Sequence, residues 1–201
     1  PSGEGRFALA QPLADILPAF ARMQVLKADA KSVADVEPAA SPITLRQILS
    51  HSAGFSYGFI EPMSVVDQAY MAAGLNPLAG GDATLESLCD GLARLPLAYQ
   101  PGTDWRYSLA TDVTARVVEV LSGKRFDVFL KERIFDPLGM GDTDFHGPRE
   151  RQDRFVTMYA PTDIFTPMKG GLVKADDPYT GSYSKPKAFL SGGGGLVSTV
   201  S

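Results

Sequence analysis

A chain of 201 residues with 19 basic and 23 acidic side chains, net −4, has the size of one domain and no basic footprint for a nucleic-acid backbone. Its hydrophobic share of 44% suits a packed core, yet no apolar run approaches the ~18 residues of a membrane span. One cysteine, Cys89, excludes an internal disulfide, and with two histidines it offers no obvious zinc site.

Along the chain, residues 1–40 read as extended and loop-like around an apolar segment from Leu13 to Leu26. The first residues, Pro1-Ser2-Gly3-Glu4, carry no apolar signal core; this tilts the compartment toward cytoplasm over periplasm without fixing it. Thr44 is the expected N-cap of a helix bearing Leu45, Ile48 and Leu49, with Gly54 ending that element. Pro62 is expected to open a second helix through Val65, Val66, Ala69, Tyr70 and Ala73, closed by Gly74. Asn76 to Asp82 reads as a turn-rich link, and Thr84 starts a third helix that stops before Pro96. Within it, Cys89 joins Leu85, Leu88 and Leu92 as a buried structural thiol.

The fourth helix has the clearest pattern: Leu109, Val113, Val117, Val120 and Leu121 share a face, Tyr107 or Ser108 is the expected cap, and Gly123 sits where a left-handed C-terminal residue is wanted. Asp127 is the expected cap of a fifth, carrying Phe129, Leu130 and Ile134. Beyond Pro148 short apolar pieces, Phe155 to Tyr159 and Phe189 to Leu190, alternate with glycine, proline and polar residues and read as short strands and loops. Helices first and strands later make the expected class α+β.

Three strings invite catalytic readings. Gly54-Phe55-Ser56-Tyr57-Gly58 matches G-x-S-x-G, but a helix precedes it where a strained strand-to-helix elbow needs a strand; a glycine-flanked turn is favoured over a nucleophile with His146 as its base. Ser182-Tyr183-Ser184-Lys185 and Ser184 to Lys187 match S-x-x-K, whose proton transfer needs serine and lysine one helical turn apart. Gly181 before and Pro186 within argue for a loop. Ser191 to Leu196 lacks the lysine of a phosphate-binding loop, so its four glycines imply close backbone approach or the lining of a cavity where side chains would intrude. Tyr107 stands at a helix entrance beside Trp105. Chemistry alone slightly favours a core role, because a tyrosine base needs a cationic neighbour and Arg106 can point elsewhere. His51, between Ser50 and Ser52, reads as a structural helix-end residue.

Five blocks in order carry a resemblance: Glu4-Gly5-Arg6-Phe7 with Pro12-Leu13 and Leu17-Pro18; Ile43 to Gly54; Pro101-Gly102 to Tyr107-Ser108; Phe135-Asp136-Pro137-Leu138-Gly139-Met140; and Ser191 to Thr199. Together the chain resembles the serine β-lactamase-like family, especially the class C β-lactamase and family VIII carboxylesterase branch, with penicillin-binding proteins as further members. The resemblance implies an α+β β-lactamase/transpeptidase-like fold in which an S-x-x-K serine is acylated while its lysine and a Y-x-N tyrosine move protons. Only that tyrosine maps here, onto Tyr107, and reverses the preference for a core role. The third motif position is Leu109 instead of asparagine, which points from lactam toward ester and suggests an apolar substrate wall. Tyr57 is a candidate second wall.

The resemblance also implies that residues 1–201 are an internal part of one catalytic domain, mostly helical over 41–147 and loop and short strand over 148–201. The S-x-x-K helix is expected before Glu4 and the K-T-G-like strand after Ser201. The expected activity is a serine esterase acting through an acyl-enzyme on a small-molecule ester or lactam, with no metal or organic cofactor, no nucleic acid and no membrane span. The 201 residues alone are expected to be inactive. A β-lactamase or D-Ala-D-Ala carboxypeptidase is the alternative within the fold. A non-catalytic binding protein is the alternative of another class. Oligomeric state stays open.

Overall fold

Thr44 caps the first helix as its sequence announces. In the computed structural model, α1 (Leu45–Leu49) opens with a capping box: the Thr44 hydroxyl accepts the Gln47 N–H, and the Gln47 side chain accepts the Thr44 N–H. The structure describes residue 5 and residues 7–75, 82–147, 149–163, 166–177 and 179–200, so all but the last residue of the expected Asn76–Asp82 link lies outside the described residues. α1 stops at Ser50, earlier than Gly54.

Before α1, the extended stretch contains two short 3-10 turns, Leu13–Asp15 and Pro18–Arg22, and a small antiparallel ribbon. Its strands β1 (Gln24–Leu26) and β2 (Val36–Pro38) pair with Val25 opposite Glu37. The other edge of β1 meets the chain near Leu97, whose N–H donates to the Gln24 carbonyl at 2.8 Å.

α2 (Val65–Ala72) is capped by Ser64, whose hydroxyl accepts the Asp67 N–H, and not by Pro62; a side-chain acceptor satisfies an orphan N–H that proline cannot. Gly74 follows it at φ 69°. α3 (Leu85–Leu92) carries a second capping box between Thr84 and Ser87 and buries Leu85, Leu88, Cys89 and Leu92. Burial pushes the Cys89 thiol up to about 12, the behaviour of a structural thiol.

α4 (Ala110–Ser122) begins without a side-chain cap at Leu109, a correction to the expected cap at Tyr107 or Ser108. The Ser108 hydroxyl instead meets the His51 ring. Gly123 closes the helix at φ 69°, where a Cβ is costly. α5 (Phe126–Leu130) includes Asp127 in its first turn and runs into a π-helical turn over Lys131–Phe135.

The chain forms two compact units. The first takes residues 1–129 and 189–194, the second 130–188 and 195–201. The first holds a hydrophobic core of Leu13, Phe20, Val25, Ile43, Leu45, Ile48, Tyr70, Leu92, Leu97, Leu109 and Val113, each essentially without exposed surface. Burying each of the aliphatic members is worth roughly 1.5–3 kcal/mol against an exposed state. In the second unit β3 (Met158–Pro161) and β4 (Leu172–Asp176) make an antiparallel hairpin with a bulge between Met158 and Tyr159. The expected strands shift accordingly: Phe155 to Val156 stay outside β3. Phe189 to Leu190 form no strand, and Leu190 is buried within the first unit. No described helix is long and apolar enough to cross a membrane.

Candidate active site around Tyr107

Two backbone hydrogen bonds bracket Tyr107. The Arg106 N–H donates to the His51 carbonyl at 3.0 Å, and the Leu109 N–H donates to the Ser56 carbonyl at 3.0 Å. The chain entering α4 is thus fastened along the turn that leaves α1. Between those two bonds the Tyr107 side chain is 42% exposed, while Ser108, Leu109 and Ala110 after it are buried. A phenol on open surface above a buried helix start is free to meet a ligand, and its backbone is not free to move.

The ring is also confined. Tyr107 stacks on Tyr57 with centroids 5.3 Å apart and planes only 5° from parallel, and its other neighbour is the His51 ring at 5.1 Å. Tyr57 meets Phe59 at 4.9 Å, and His51 meets Trp105 at 6.3 Å. Five aromatic rings therefore run in sequence, Phe59, Tyr57, Tyr107, His51 and Trp105, with Tyr107 at the middle. Aromatic pairs of this spacing are worth about 0.5–1.5 kcal/mol each beyond area burial. Burial, reinforced by the Asp112 carboxylate and Tyr107, pushes the Tyr57 phenol up to about 12. Tyr57 is 8% exposed, so it offers a largely covered edge beside Tyr107.

Leu109 is placed differently from its expected role as an apolar wall. Its side chain has no exposed surface and belongs to the hydrophobic core, because the uncapped start of α4 turns it inward.

Arg106 points away from the ring column. Its guanidinium donates to the Ser56 hydroxyl at 3.3 Å and to Glu61 at 2.6 Å, and lies 4.0 Å from Asp67. Ser56 has no exposed surface, and its hydroxyl donates to the buried Asp67 carboxylate. The other Asp67 oxygen accepts the Glu61 N–H at 2.8 Å. The G-x-S-x-G serine is thereby a buried member of a latch that ties residues 54–61 to α2, with no route for an attack on a substrate. Ser182 and Ser184 are likewise engaged: the Ser182 hydroxyl donates to Asp176 at 2.6 Å and that of Ser184 to the Gly181 carbonyl at 2.7 Å, and no helix covers residues 182–187.

One buried acid carried no sequence signal beyond its place in the first turn of α4. Asp112 has no exposed surface; its Oδ1 accepts from the Ser191 hydroxyl at 2.7 Å and the Gly192 N–H at 3.0 Å. Burial pushes its carboxyl above the usual range. Oδ2 has no hydrogen-bond partner among the described residues. The glycines let the Ser191–Gly194 strap lie directly on α4: a Cβ at Gly192 would overlap the Thr111 carbonyl and sit 2.8 Å from the Ala115 Cβ. In the second unit, an open cleft of about 470 Å³ is lined by Gly139, Asp142, Thr143, Arg151 and Ser198, and no expected site residue lies in it. Among the described residues no group of His, Cys, Asp and Glu is suited to a metal ion.

Comparison with known proteins joins these features. A family model described as Beta-lactamase matches residues 2–201. "Lovastatin esterase" of Penicillium rubens is 38% identical over 152 residues, which is 75% of this chain and 36% of that protein. The solved structure "EstCE1, a hydrolase with promiscuous acyltransferase activity" aligns with a TM-score of 0.74 at 25% identity, over 98% of this chain and 50% of that one. Simvastatin synthase (LovD) from Aspergillus terreus aligns with a TM-score of 0.68 at 26% identity, over 98% of this chain and 46% of that one. The chain thus spans half or less of the length of each, and its fold is the β-lactamase/transpeptidase-like α+β fold.

Proposed function

The chain belongs to the beta-lactamase family, and we propose that it is the Tyr107-bearing part of a longer serine carboxylesterase that works through an acyl-enzyme. The observation that carries this reading is the exposed Tyr107 phenol, held by backbone bonds on both sides and by the neighbouring Tyr57 and His51 rings, at the one position of the family's Y-x-N motif that this chain keeps. Support also comes from the relatives, whose names describe an esterase, a hydrolase with promiscuous acyltransferase activity and a simvastatin synthase.

In the proposed reaction, an S-x-x-K serine upstream of Glu4 attacks the ester carbonyl. Its hydroxyl proton passes to the lysine and Tyr107 pair as the Oγ–C bond forms. Backbone N–H groups hold the oxyanion. The tetrahedral intermediate collapses, the C–O bond to the alcohol breaks, and Tyr107 returns the proton to the departing oxygen. Water then repeats the attack with the same groups, releasing acid and free serine.

The test is intact-mass and peptide mapping of the whole protein during turnover of a p-nitrophenyl ester. The expected result is an acyl adduct on the serine of an S-x-x-K upstream of Glu4. An adduct on Ser56, or turnover with no adduct and no S-x-x-K in the gene, contradicts it.

A further inference from the structure

His51 is the one non-glycine residue with positive φ, 55°, among the described residues. Its place explains the angle. It follows α1 and its Ser50 cap, and the next N–H, that of Ser52, donates back to the Gln47 carbonyl at 2.9 Å, closing the helix in the manner that ordinarily puts glycine at the left-handed position. Glycine would satisfy this backbone at no steric cost, whereas a side chain here is uncommon. The conformation alone therefore does not select histidine.

What the imidazole does at that point is visible. Nδ1 lies 3.1 Å from the Ser108 hydroxyl, the residue after Tyr107. The ring sits between Trp105 at 6.3 Å and Tyr107 at 5.1 Å. The His51 carbonyl accepts from the Tyr99 hydroxyl at 3.1 Å and from the Arg106 N–H at 3.0 Å, so the strained residue is held from both its backbone and its side chain. Strain that the surroundings over-determine in this way marks a residue placed for a task.

The geometry points to His51 as a positioning residue for Tyr107: its ring, 5.1 Å from the phenol ring and tilted 39° to it, confines the phenol together with the Tyr57 stack. The inference rests on the proton-transfer role proposed for Tyr107. A phenol free to rotate or tilt spends less time aimed at the reacting oxygen, which lowers the rate of the proton-transfer step without weakening ground-state binding.

His51→Gly separates the ring from the backbone. Glycine keeps the left-handed turn and removes only the imidazole, so a merely structural helix-end residue predicts unchanged turnover. Here kcat for a p-nitrophenyl ester is expected to fall by about tenfold or more at nearly unchanged KM in the whole protein. The Tyr107 resonance, in ring-labelled tyrosine NMR and assigned by its disappearance in Tyr107→Phe, is expected to shift and lose its ring-current displacement. His51→Asn, which also tolerates positive φ, is read in the same way if the glycine variant fails to fold. Unchanged kcat, or an unmoved Tyr107 resonance, overturns the inference. A parent protein with no hydrolysis contradicts the esterase reading instead; faster flipping of the Tyr107 ring in His51→Gly then supports confinement by the imidazole, and an unchanged flip rate overturns it.

Discussion

At the scale of single residues, the site is defined by which hydroxyls are free and which are spent. The Tyr107 phenol is half exposed; the Ser56 hydroxyl has no exposed surface and is committed to Asp67 with Arg106 alongside. Ser56→Ala is therefore expected to cost stability, about 1–3 kcal/mol from the partner left in a buried site, and to leave ester turnover per folded molecule unchanged. Urea midpoints and a p-nitrophenyl ester assay on the whole protein check both halves; loss of turnover with an intact fold would return Ser56 to candidacy as nucleophile. His51 gives a pH dependence with a definite sign. Burial holds the folded imidazole below its ordinary range, so the unfolded chain takes up a proton first as pH falls. The stability this contributes is present above about pH 6.5 and is lost as pH falls through the depressed folded value. Comparing urea midpoints at pH 7.5 and 5.5, His51→Gly is expected to show a smaller acid loss than the parent, and an equal loss contradicts the assignment. Sequence alone marked Tyr107 through its motif neighbours, but it read His51 as a helix end. The positive φ is set locally by the turn that closes α1, but the rings flanking His51, Trp105 and Tyr107, come from far along the chain.

At the scale of elements, several local signals were legible where the responsible groups are close in sequence, although the Ser64 cap of α2, three positions before Asp67, was passed over for Pro62. Thr44 and Thr84 cap their helices through residues three positions on, and Gly123 ends α4 as its pattern required. The signals failed where a distant partner intervened. Ser108 does not cap α4 because its hydroxyl is taken by His51, 57 positions earlier, and Asp112 looked like an ordinary first-turn acid because Ser191 and Gly192, its partners, lie some 80 positions later. That strap has little room for error. Gly192→Ala is expected to destabilise by about 1–3 kcal/mol, since the new methyl overlaps the Thr111 carbonyl and Ala115. Gly194→Ala, with nothing within 4 Å of its Cβ, is the control expected to change stability little. Equal unfolding midpoints for the two variants contradict the close seating of the strap on α4.

At the scale of the whole molecule, the match to the beta-lactamase family runs from residue 2 to residue 201, while the chain spans 36% of the esterase it resembles in sequence. The family was legible because five short blocks occur in a fixed order. The hairpin of β3 and β4 was placed less well because its apolar residues are exposed and mixed with glycine, leaving no clean alternation. With the proposed serine and lysine outside these residues, the isolated 201-residue chain is expected to show no hydrolysis of p-nitrophenyl esters, and activity in it contradicts the proposed division of labour. The central claim, that Tyr107 moves the proton, meets its most direct test in the whole protein carrying Tyr107→Phe. Steady-state turnover of a p-nitrophenyl ester is predicted to fall by roughly 10²-fold or more with an unchanged circular-dichroism spectrum and melting temperature. Turnover within a few-fold of the parent contradicts it.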